Sequence, residues 1–141
     1  MSVLVDTSVW SLALRRRDLR PNDVVAELEE LIQEARVRII GPVRQELLSG
    51  IREVSQFERL RDRLRAFPDL PLDTADHEQA AEFLNRCRRK GIQGSNTDFL
   101  LCAVAERRQL AILSVDQDFE QFSGCLPIVL HRPRGRTPLP E

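Results

Sequence analysis

The chain of 141 residues predicts a single α/β domain in which helices cover both faces of a mainly parallel sheet of about five strands. Two observations predict this fold class. Short, apolar, partly β-branched runs such as residues 3–5 and 111–115 are typical of buried parallel strands. Longer segments with apolar residues at helical spacing alternate with these runs. An apolar fraction of 42% provides one ordinary core, and the chain is too short for a second domain.

Strands are predicted where short apolar runs stop at a polar or turn-forming residue. One run ends at Asp6 and another ends at Asp116. Pro68 and Pro71 bracket an extended segment that suits an edge strand, because proline donates no hydrogen bond to a neighbouring strand. In chain order the predicted strands occupy residues 3–5, 37–40, 68–71, 111–115 and 128–130.

Helices are predicted where apolar residues recur at intervals of three and four. Thr7 and Ser8 can cap the first helix, Pro42 suits the first turn of the third, and Gly91 is the expected end of the fifth. The unbroken apolar run 99–105 predicts a helix that is buried on most sides. The predicted helices begin near residues 7, 24, 42, 55, 74, 98 and 117.

Two arginine-rich segments lie outside these elements. Residues 15–20 are predicted to form an exposed loop that ends at Pro21. From residue 132 onward arginine and proline recur without an apolar pattern, so this segment cannot form a core. We therefore expect residues 1–131 to be the folded domain and residues 132–141 to be a C-terminal tail.

Composition excludes several classes of protein. A formal net charge of -1 gives no global bias toward nucleic acid, so any basic surface must be local. Cys87, Cys102 and Cys125 form neither an even disulfide set nor a Cys-x-x-Cys zinc motif. No stretch resembles a signal peptide or reaches membrane-spanning length. We expect a reducing, cytoplasmic setting and no membrane partner.

Carboxylates occur where the predicted strands end. Asp6 and Asp116 follow two buried strands, Asp98 opens the buried helix, and Glu46 lies just beyond a third strand. Ligands of parallel sheets bind beyond the carboxyl ends of the strands, and carboxylates that converge there repel one another unless a cation neutralises them. Oxygen ligands without His or Cys favour Mg²⁺, or Mn²⁺, over zinc, and these ions suit phosphate chemistry.

Each acid also has a plainer explanation when it is taken alone. Asp is favoured at helix N-termini, and Ser95 and Asp98 have the spacing of a capping box. Glu46 could be a solvated helix charge, and Asp118 could merely support the turn after Asp116. The prediction of a metal site therefore depends on the four acids, Asp6, Glu46, Asp98 and Asp116, being taken together.

Four segments spread over nearly the whole domain carry a family resemblance, and they are VLVDTSVW at 3–10, PVRQELLSG at 42–50, TDFLLCAVA at 97–105 and LSVDQDF at 113–119. This ordered set resembles PIN-domain ribonucleases, and more closely the VapC-type toxins of bacterial toxin–antitoxin pairs. The resemblance implies a Rossmann-like, three-layer PIN fold, endonucleolytic cleavage of RNA, a homodimer, and inhibition by a VapB-type antitoxin.

Carried over to this sequence, the resemblance makes Asp6 and Asp98 the leading Mg²⁺ ligands, with Glu46 and Asp116 completing the catalytic site. Three more polar residues are expected to be auxiliary to it: Ser8, Ser114 and Asp118. The resulting hypothesis is that the acids hold one or two Mg²⁺ ions and that a metal-activated water attacks the RNA phosphodiester in line. The expected products carry 5′-phosphate and 3′-hydroxyl ends.

An acidic groove repels RNA, so contacts to the RNA backbone should come from cations beside it. The candidates precede the Asp98 loop, and a solvated helix end is their plainer explanation: Arg86, Arg88, Arg89 and Lys90. The loop at residues 15–20 has the same status. The arginine-rich tail could instead contact the antitoxin.

Four other functions are alternatives to this interpretation of the sequence. A receiver-like phosphoacceptor needs a lysine near its last strand, and Lys90, the one lysine of the chain, lies elsewhere. A phosphatase of the haloacid-dehalogenase type needs an Asp two residues after Asp6, where Ser8 stands. A PIN domain that only binds partners would not need all four acids, and a housekeeping RNA-processing enzyme would need no antitoxin.

Overall fold

The structure is a computed structural model that describes residues 1–14 and 22–135. The loop predicted at residues 15–20 and the end of the predicted tail, residues 136–141, lie outside the described residues. The predicted domain boundary after residue 131 stays a prediction.

The described residues contain one parallel sheet of four strands in the order β2-β1-β3-β4. The strands are β1 (Val3–Val5), β2 (Val37–Arg38), β3 (Ala111–Leu113) and β4 (Val129–Leu130). Val3 pairs with Val37 on one side and with Ala111 on the other, and β3 pairs with β4 in the same parallel sense. The predicted α/β class with a parallel sheet is confirmed.

The sheet has four strands where about five were predicted, because residues 68–71 form a single β-bridge. Asp69 pairs with Ile39 at this bridge, and Leu70 N donates to Ile39 O at 2.9 Å. Pro68 and Pro71 have no backbone N–H group. Pairing therefore cannot extend in either direction along the segment.

Helices surround the sheet near the predicted positions. Within the described residues they are α1 (Thr7–Leu14), α2 (Asp23–Gln33), α3 (Gly41–Leu48), α4 (Val54–Leu64), α5 (Thr74–Arg89), α6 (Asn96–Arg107) and α7 (Asp118–Ser123). Every residue of α6 from 99 to 105 is buried, as its unbroken apolar run predicted. Gly91, with φ of 77°, follows the end of α5 in the left-handed region that favours glycine. None of these helices is both long and apolar enough to span a bilayer.

The strand order creates a switch point between β1 and β3. From β1 the chain crosses to β2 on one side, and it then returns past β1 to reach β3 on the other side. Because such crossovers are right-handed, the two sets of connecting helices lie on opposite faces of the sheet. The residues that follow β1 and β3 therefore meet at the edge where open parallel sheets bind ligands.

A buried ion pair joins the start of α5 to the end of α6. Asp76 is fully buried, and Arg108 Nη1 and Nη2 donate to its two carboxylate oxygens at 2.8 Å each. Arg107 Nε donates to the same carboxylate at 3.0 Å. Hydrogen bonds from Arg108 hold the pKa of Asp76 well below its ordinary range. Asp76 also accepts from Asp73 N in the capping box that begins α5.

The first residues after β4 pack against α2. His131 Nε2 lies 2.6 Å from Oε2 of Glu27, which is fully buried, and Arg134 Nε donates to Glu27 at 3.1 Å. Arg134 also forms two hydrogen bonds of 2.9 Å with Glu34, and these lower the pKa of Glu34 to about 2. Arg132 pairs with Glu120 of α7. His131 and Arg134 thus anchor this segment to α2.

We expect the substitution Asp76→Asn to lower the free energy of unfolding by roughly 3 kcal/mol, because two guanidinium groups would then face a neutral amide at a buried position. Folding lowers the pKa of Asp76, so the stabilisation is present above the ordinary value of 3.8 and is lost as the pH falls through the lower value of the folded protein. Urea unfolding at neutral pH measures the difference.

The matched control is Asp62→Asn, which removes exposed ion pairs with Arg61 and Arg65 and should cost less than about 0.5 kcal/mol. Equal losses in the two variants would contradict a special role for the buried pair.

Candidate active site

Asp6 stands at the switch point between β1 and β3. Its backbone N–H donates to Leu113 O at 2.9 Å, which continues the pairing of the two strands by one residue. Its side chain is only 5% exposed, so burial raises the pKa of the carboxyl group. A carboxylate in this position requires partners that stabilise its charge.

Two serine hydroxyls stabilise the Asp6 carboxylate, one from each side of the switch point. Ser8 Oγ, in α1, donates to Asp6 Oδ2 at 2.6 Å, and Ser114 Oγ, just after β3, donates to the same atom at 2.8 Å. The two hydroxyls are 3.2 Å from each other. The structure thus brings the predicted auxiliary residues Ser8 and Ser114 into direct contact with Asp6.

The predicted cap of α1 by Thr7 and Ser8 is wrong, because both hydroxyls bind side chains of the site. The Asp6 carbonyl instead accepts from Val9 N at 3.1 Å and from Trp10 N at 3.4 Å, and Asp6 Oδ2 accepts weakly from Ser8 N at 3.4 Å. Asp6 therefore caps the helix that it precedes. The same residue therefore begins α1 and contributes its carboxylate to the site.

Asp98 is held at the first turn of α6 by the predicted capping box. Asp98 Oδ2 accepts from Ser95 N at 3.0 Å, and Asp98 N donates to Ser95 Oγ at 3.1 Å. The loop before it is packed tightly, since a Cβ on Gly94 would lie 2.5 Å from Cζ of Phe122 and 3.0 Å from Cε2 of Phe99. Gly94 is therefore required for the loop to approach the core so closely.

Glu46, on the exposed side of α3, is linked to the site through Thr7. Thr7 Oγ1 donates to Glu46 Oε2 at 2.8 Å, and Thr7 directly follows Asp6. Thr7 is a residue whose position in the site the sequence did not indicate. The sequence signal that could have identified Thr7 is its position between Asp6, at the end of β1, and the hydroxyl residue Ser8.

Asp116 begins a turn that leads into α7. Asp116 N donates to Ser114 Oγ at 3.0 Å, so Ser114 contacts both Asp6 and Asp116. Asp118 N donates to Asp116 Oδ1 at 2.9 Å, which shows Asp118 supporting the turn through its backbone. Both acids lie after β3, at the same edge of the sheet as Asp6.

Electrostatic coupling shows which acids influence one another. The pKa of Asp98 is raised, first by its burial and then by the negative charges of Asp6 and Asp116. These three carboxyl groups, delivered by α6, β1 and β3, therefore share one region of negative potential. A cation placed among them would relieve both the repulsion and the burial cost.

The donor set fits a hard divalent cation in chemistry, since carboxylate and hydroxyl oxygens are the ligands that Mg²⁺ prefers. In residues 1–14 and 22–135 no three His, Cys, Asp or Glu side chains lie close enough to hold one metal ion. Ligation by three acids would therefore need side-chain rotation beyond the hydrogen-bonded arrangement seen here.

Of the four predicted RNA-contacting cations, one has a partner of its own. Arg86 Nη2 donates to Glu82 Oε1 at 2.6 Å and lies 5.3 Å over the ring of Phe83. The other three are exposed at the end of α5, just before the loop that leads to Asp98, and they form no ion pair with any described residue: Arg88, Arg89 and Lys90.

Comparison with known proteins adds an independent line of evidence. The family model described as "PIN domain" matches residues 3–124 of this chain. Ribonuclease VapC11 of Mycobacterium tuberculosis is 30% identical over 122 residues, which cover 84% of this chain and 89% of that protein. VapC ribonuclease Mb1587 of Mycobacterium bovis is similar to the same extent, with 30% identity over 122 residues.

Solved structures show the same fold. FitAcB from Neisseria gonorrhoeae superposes with a TM-score of 0.71 and 24% identity, covering 93% of this chain and 97% of that chain. VapBC2 from Rickettsia felis, bound to a DNA fragment from its promoter, gives a TM-score of 0.73 and 17% identity, covering 93% and 98% of the two chains. At these identities the likeness establishes the fold alone.

We expect Asp98→Asn to raise the melting temperature of the metal-free protein at mildly alkaline pH. Because folding raises the pKa of Asp98, the native state holds a proton more tightly than the unfolded state, and stability falls as the pH rises between the two values. The amide removes this charge and still offers an acceptor to Ser95 N.

Melting curves in EDTA test this expectation, and the gain should vanish toward about pH 4, where free Asp titrates. The exposed acid Asp62 provides a control through Asp62→Asn. A lower melting temperature for Asp98→Asn at alkaline pH would contradict the expected repulsion.

Proposed function

We propose a function that proceeds from the family of this chain. The chain belongs to the PIN-domain family, in the group that contains the VapC ribonucleases. We infer that it is an endoribonuclease that hydrolyses RNA phosphodiester bonds with Mg²⁺, or with Mn²⁺ in its place. The observation that carries this proposal is that Asp6 and Asp116 both contact Ser114 at the switch point between β1 and β3, and that Asp98 lies near enough for their charges to act on it.

Asp6 and Asp98 would be the leading ligands of the ion, and Glu46 and Asp116 would complete the site. Their oxygen donors match the preference of Mg²⁺, and their mutual repulsion favours a cation between them. When bound, the ion supplies the acidity that activates water and the positive charge that stabilises the phosphate. In-line hydrolysis would leave 5′-phosphate and 3′-hydroxyl ends.

The side chains around these acids would position them for that role. Ser8 and Ser114 donate to one oxygen of Asp6 and so limit rotation of its carboxylate. The hydrogen bond from Thr7 holds Glu46 toward the end of β1, and the Ser95 cap holds Asp98 at the start of α6. Fixing the acids in advance reduces the reorganisation that catalysis requires.

Arg88, Arg89 and Lys90 are the proposed contacts to the RNA backbone. Their exposure leaves them available to phosphates, and they precede the loop that delivers Asp98. Arg86 has a weaker claim, because the carboxylate of Glu82 already neutralises its charge. Contacts of this kind position a strand without reading its sequence.

The proposed partner is a VapB-type antitoxin that inhibits the enzyme, and the active form is proposed to be a homodimer. Several proteins of like fold were solved as VapBC complexes, including VapBC2 from Rickettsia felis and VapBC-5 from Mycobacterium tuberculosis. Co-expression with the product of an adjacent short reading frame tests the pairing. A toxin would be copurified and inhibited by that product, whereas an RNA-processing enzyme without a toxin role would not.

We expect purified protein to cleave structured RNA in Mg²⁺, and Asp98→Asn to lose this activity by more than about 100-fold. Even outer partners of metal ligands typically cost 10- to 100-fold, so removal of a ligand charge should cost at least as much. Gel analysis of end-labelled RNA, with and without EDTA, measures cleavage and defines the chemistry of the ends.

Asp98→Asn, prepared in the same way as the wild type, controls for contaminating ribonuclease. Asp62→Asn controls for the effect of an Asp-to-Asn change away from the site and should cleave like the wild type. Cleavage that survives both EDTA and Asp98→Asn would overturn the proposed metal-dependent mechanism.

We expect the double substitution Arg89→Gln with Lys90→Gln to weaken RNA binding and to reduce its salt dependence. Each lost phosphate contact should lower the slope of log affinity against log salt concentration by about 0.7 for single strands. Binding is measured by fluorescence anisotropy in an Asp98→Asn background, where RNA stays intact. Arg86→Gln is the matched control, and an equal change of slope there would contradict the assignment.

A further inference from the structure

We propose that Cys87 and Cys125 form a modification site, at which a peroxide oxidises the two thiols to an intramolecular disulfide. Cys87 lies in the last turn of α5, and Cys125 follows α7 by two residues. Their Sγ atoms are 2.8 Å apart although 38 positions separate them in the chain. This inference is independent of the proposed nuclease activity.

The two thiols differ in their access to solvent. Cys87 is buried, whereas Cys125 is partly exposed. Burial, together with the neighbouring Cys125 thiol, raises the pKa of Cys87 to about 12. Cys87 therefore remains protonated at neutral pH, and Cys125 is the thiol that an oxidant reaches first. Cys102 is buried in α6, where burial raises its pKa further, so it should remain a thiol.

The oxidation then proceeds in two balanced steps. Cys125 Sγ attacks one oxygen of hydrogen peroxide, the O–O bond breaks, and a sulfenic acid and one water are formed. Cys87 Sγ attacks the sulfenic sulfur, the S–O bond breaks, and the hydroxyl leaves with the Cys87 proton as a second water. The two cysteines lose two electrons and the peroxide gains them. A thiol reductant reverses the modification by exchange.

The position of the pair gives the disulfide a structural consequence. The Cys87 carbonyl accepts from Lys90 N and from Ile92 N at 2.9 Å each, so Cys87 holds the turn that begins the loop at residues 91–95. On the other side, Cys125 N donates to Phe122 O at 3.0 Å, and the Phe122 ring packs on Gly94 of that loop.

A Cys87–Cys125 disulfide would therefore join α5 to the segment after α7. Both pack against the loop at residues 91–95, which leads to Asp98. It closes a long loop of chain, which restricts the unfolded state. It also restrains local opening of residues 91–95, where Ser95 caps α6. Intracellular disulfides of this type are transient or redox-sensing rather than permanent.

The test uses the full chain, reduced and then treated with hydrogen peroxide in slight excess, with free thiols blocked before digestion. Trypsin separates Cys87 from Cys102, because arginine flanks Cys87 on both sides. We expect a tryptic peptide pair linked through Cys87 and Cys125, lighter by two hydrogens than the reduced peptides. The melting temperature should rise by roughly 5–10 °C, and hydrogen exchange at residues 91–95 should slow.

Two variants keep the test decisive. Cys125→Ser, a conservative change at a partly exposed position, should show neither the linked peptides nor the rise in melting temperature on oxidation. Cys102→Ala should retain both, each variant being compared with its own reduced form. If wild type treated with peroxide yields no Cys87–Cys125 link, whether Cys125 is unmodified, oxidised to sulfinic acid or joined to another chain, the proposal is overturned.

Discussion

The buried carboxylate of Asp6, held between β1 and β3, is the constraint on which the site depends. Its backbone extends the strand pairing, its carbonyl begins α1, and its side chain accepts hydroxyl protons from Ser8 and Ser114. Each contact fixes one neighbouring segment relative to the others. The same acid therefore organises the local fold and concentrates negative charge at the edge of the sheet, where parallel α/β domains bind ligands.

The remaining acids reach this edge by elements whose stability has another source. Asp98 is carried by α6, a helix buried along most of its length and tied at its far end by Arg107 and Arg108 to the buried Asp76 of α5. The ion pair thus holds the helix while the capping box sets the orientation of Asp98. The buried charge of Asp76 is thus paired with arginines, whereas none of the described residues forms an ion pair with Asp6, Asp98 or Asp116.

That unpaired arrangement has a thermodynamic meaning. Burial, and then the charges of Asp6 and Asp116, raise the pKa of Asp98, which destabilises the folded protein when all three are ionised. Natural proteins accept such a cost mostly at functional sites, where strain or repulsion serves a ligand. The basic side chains fall into two groups. Arg132 and Arg134 form ion pairs with Glu120 and Glu34, whereas Arg88, Arg89 and Lys90 are exposed.

By itself the sequence determined the α/β class, the positions of the helices and most strands, the capping box at Ser95, and the identity of the acids at the strand ends. These features are encoded locally, in apolar periodicity and in residues that cap or interrupt it. Only the tertiary structure decided that Thr7 holds Glu46 across 39 positions and that Asp69 pairs with Ile39. It also decided that Cys87 meets Cys125, because such contacts depend on how distant segments pack, and no local pattern records that packing.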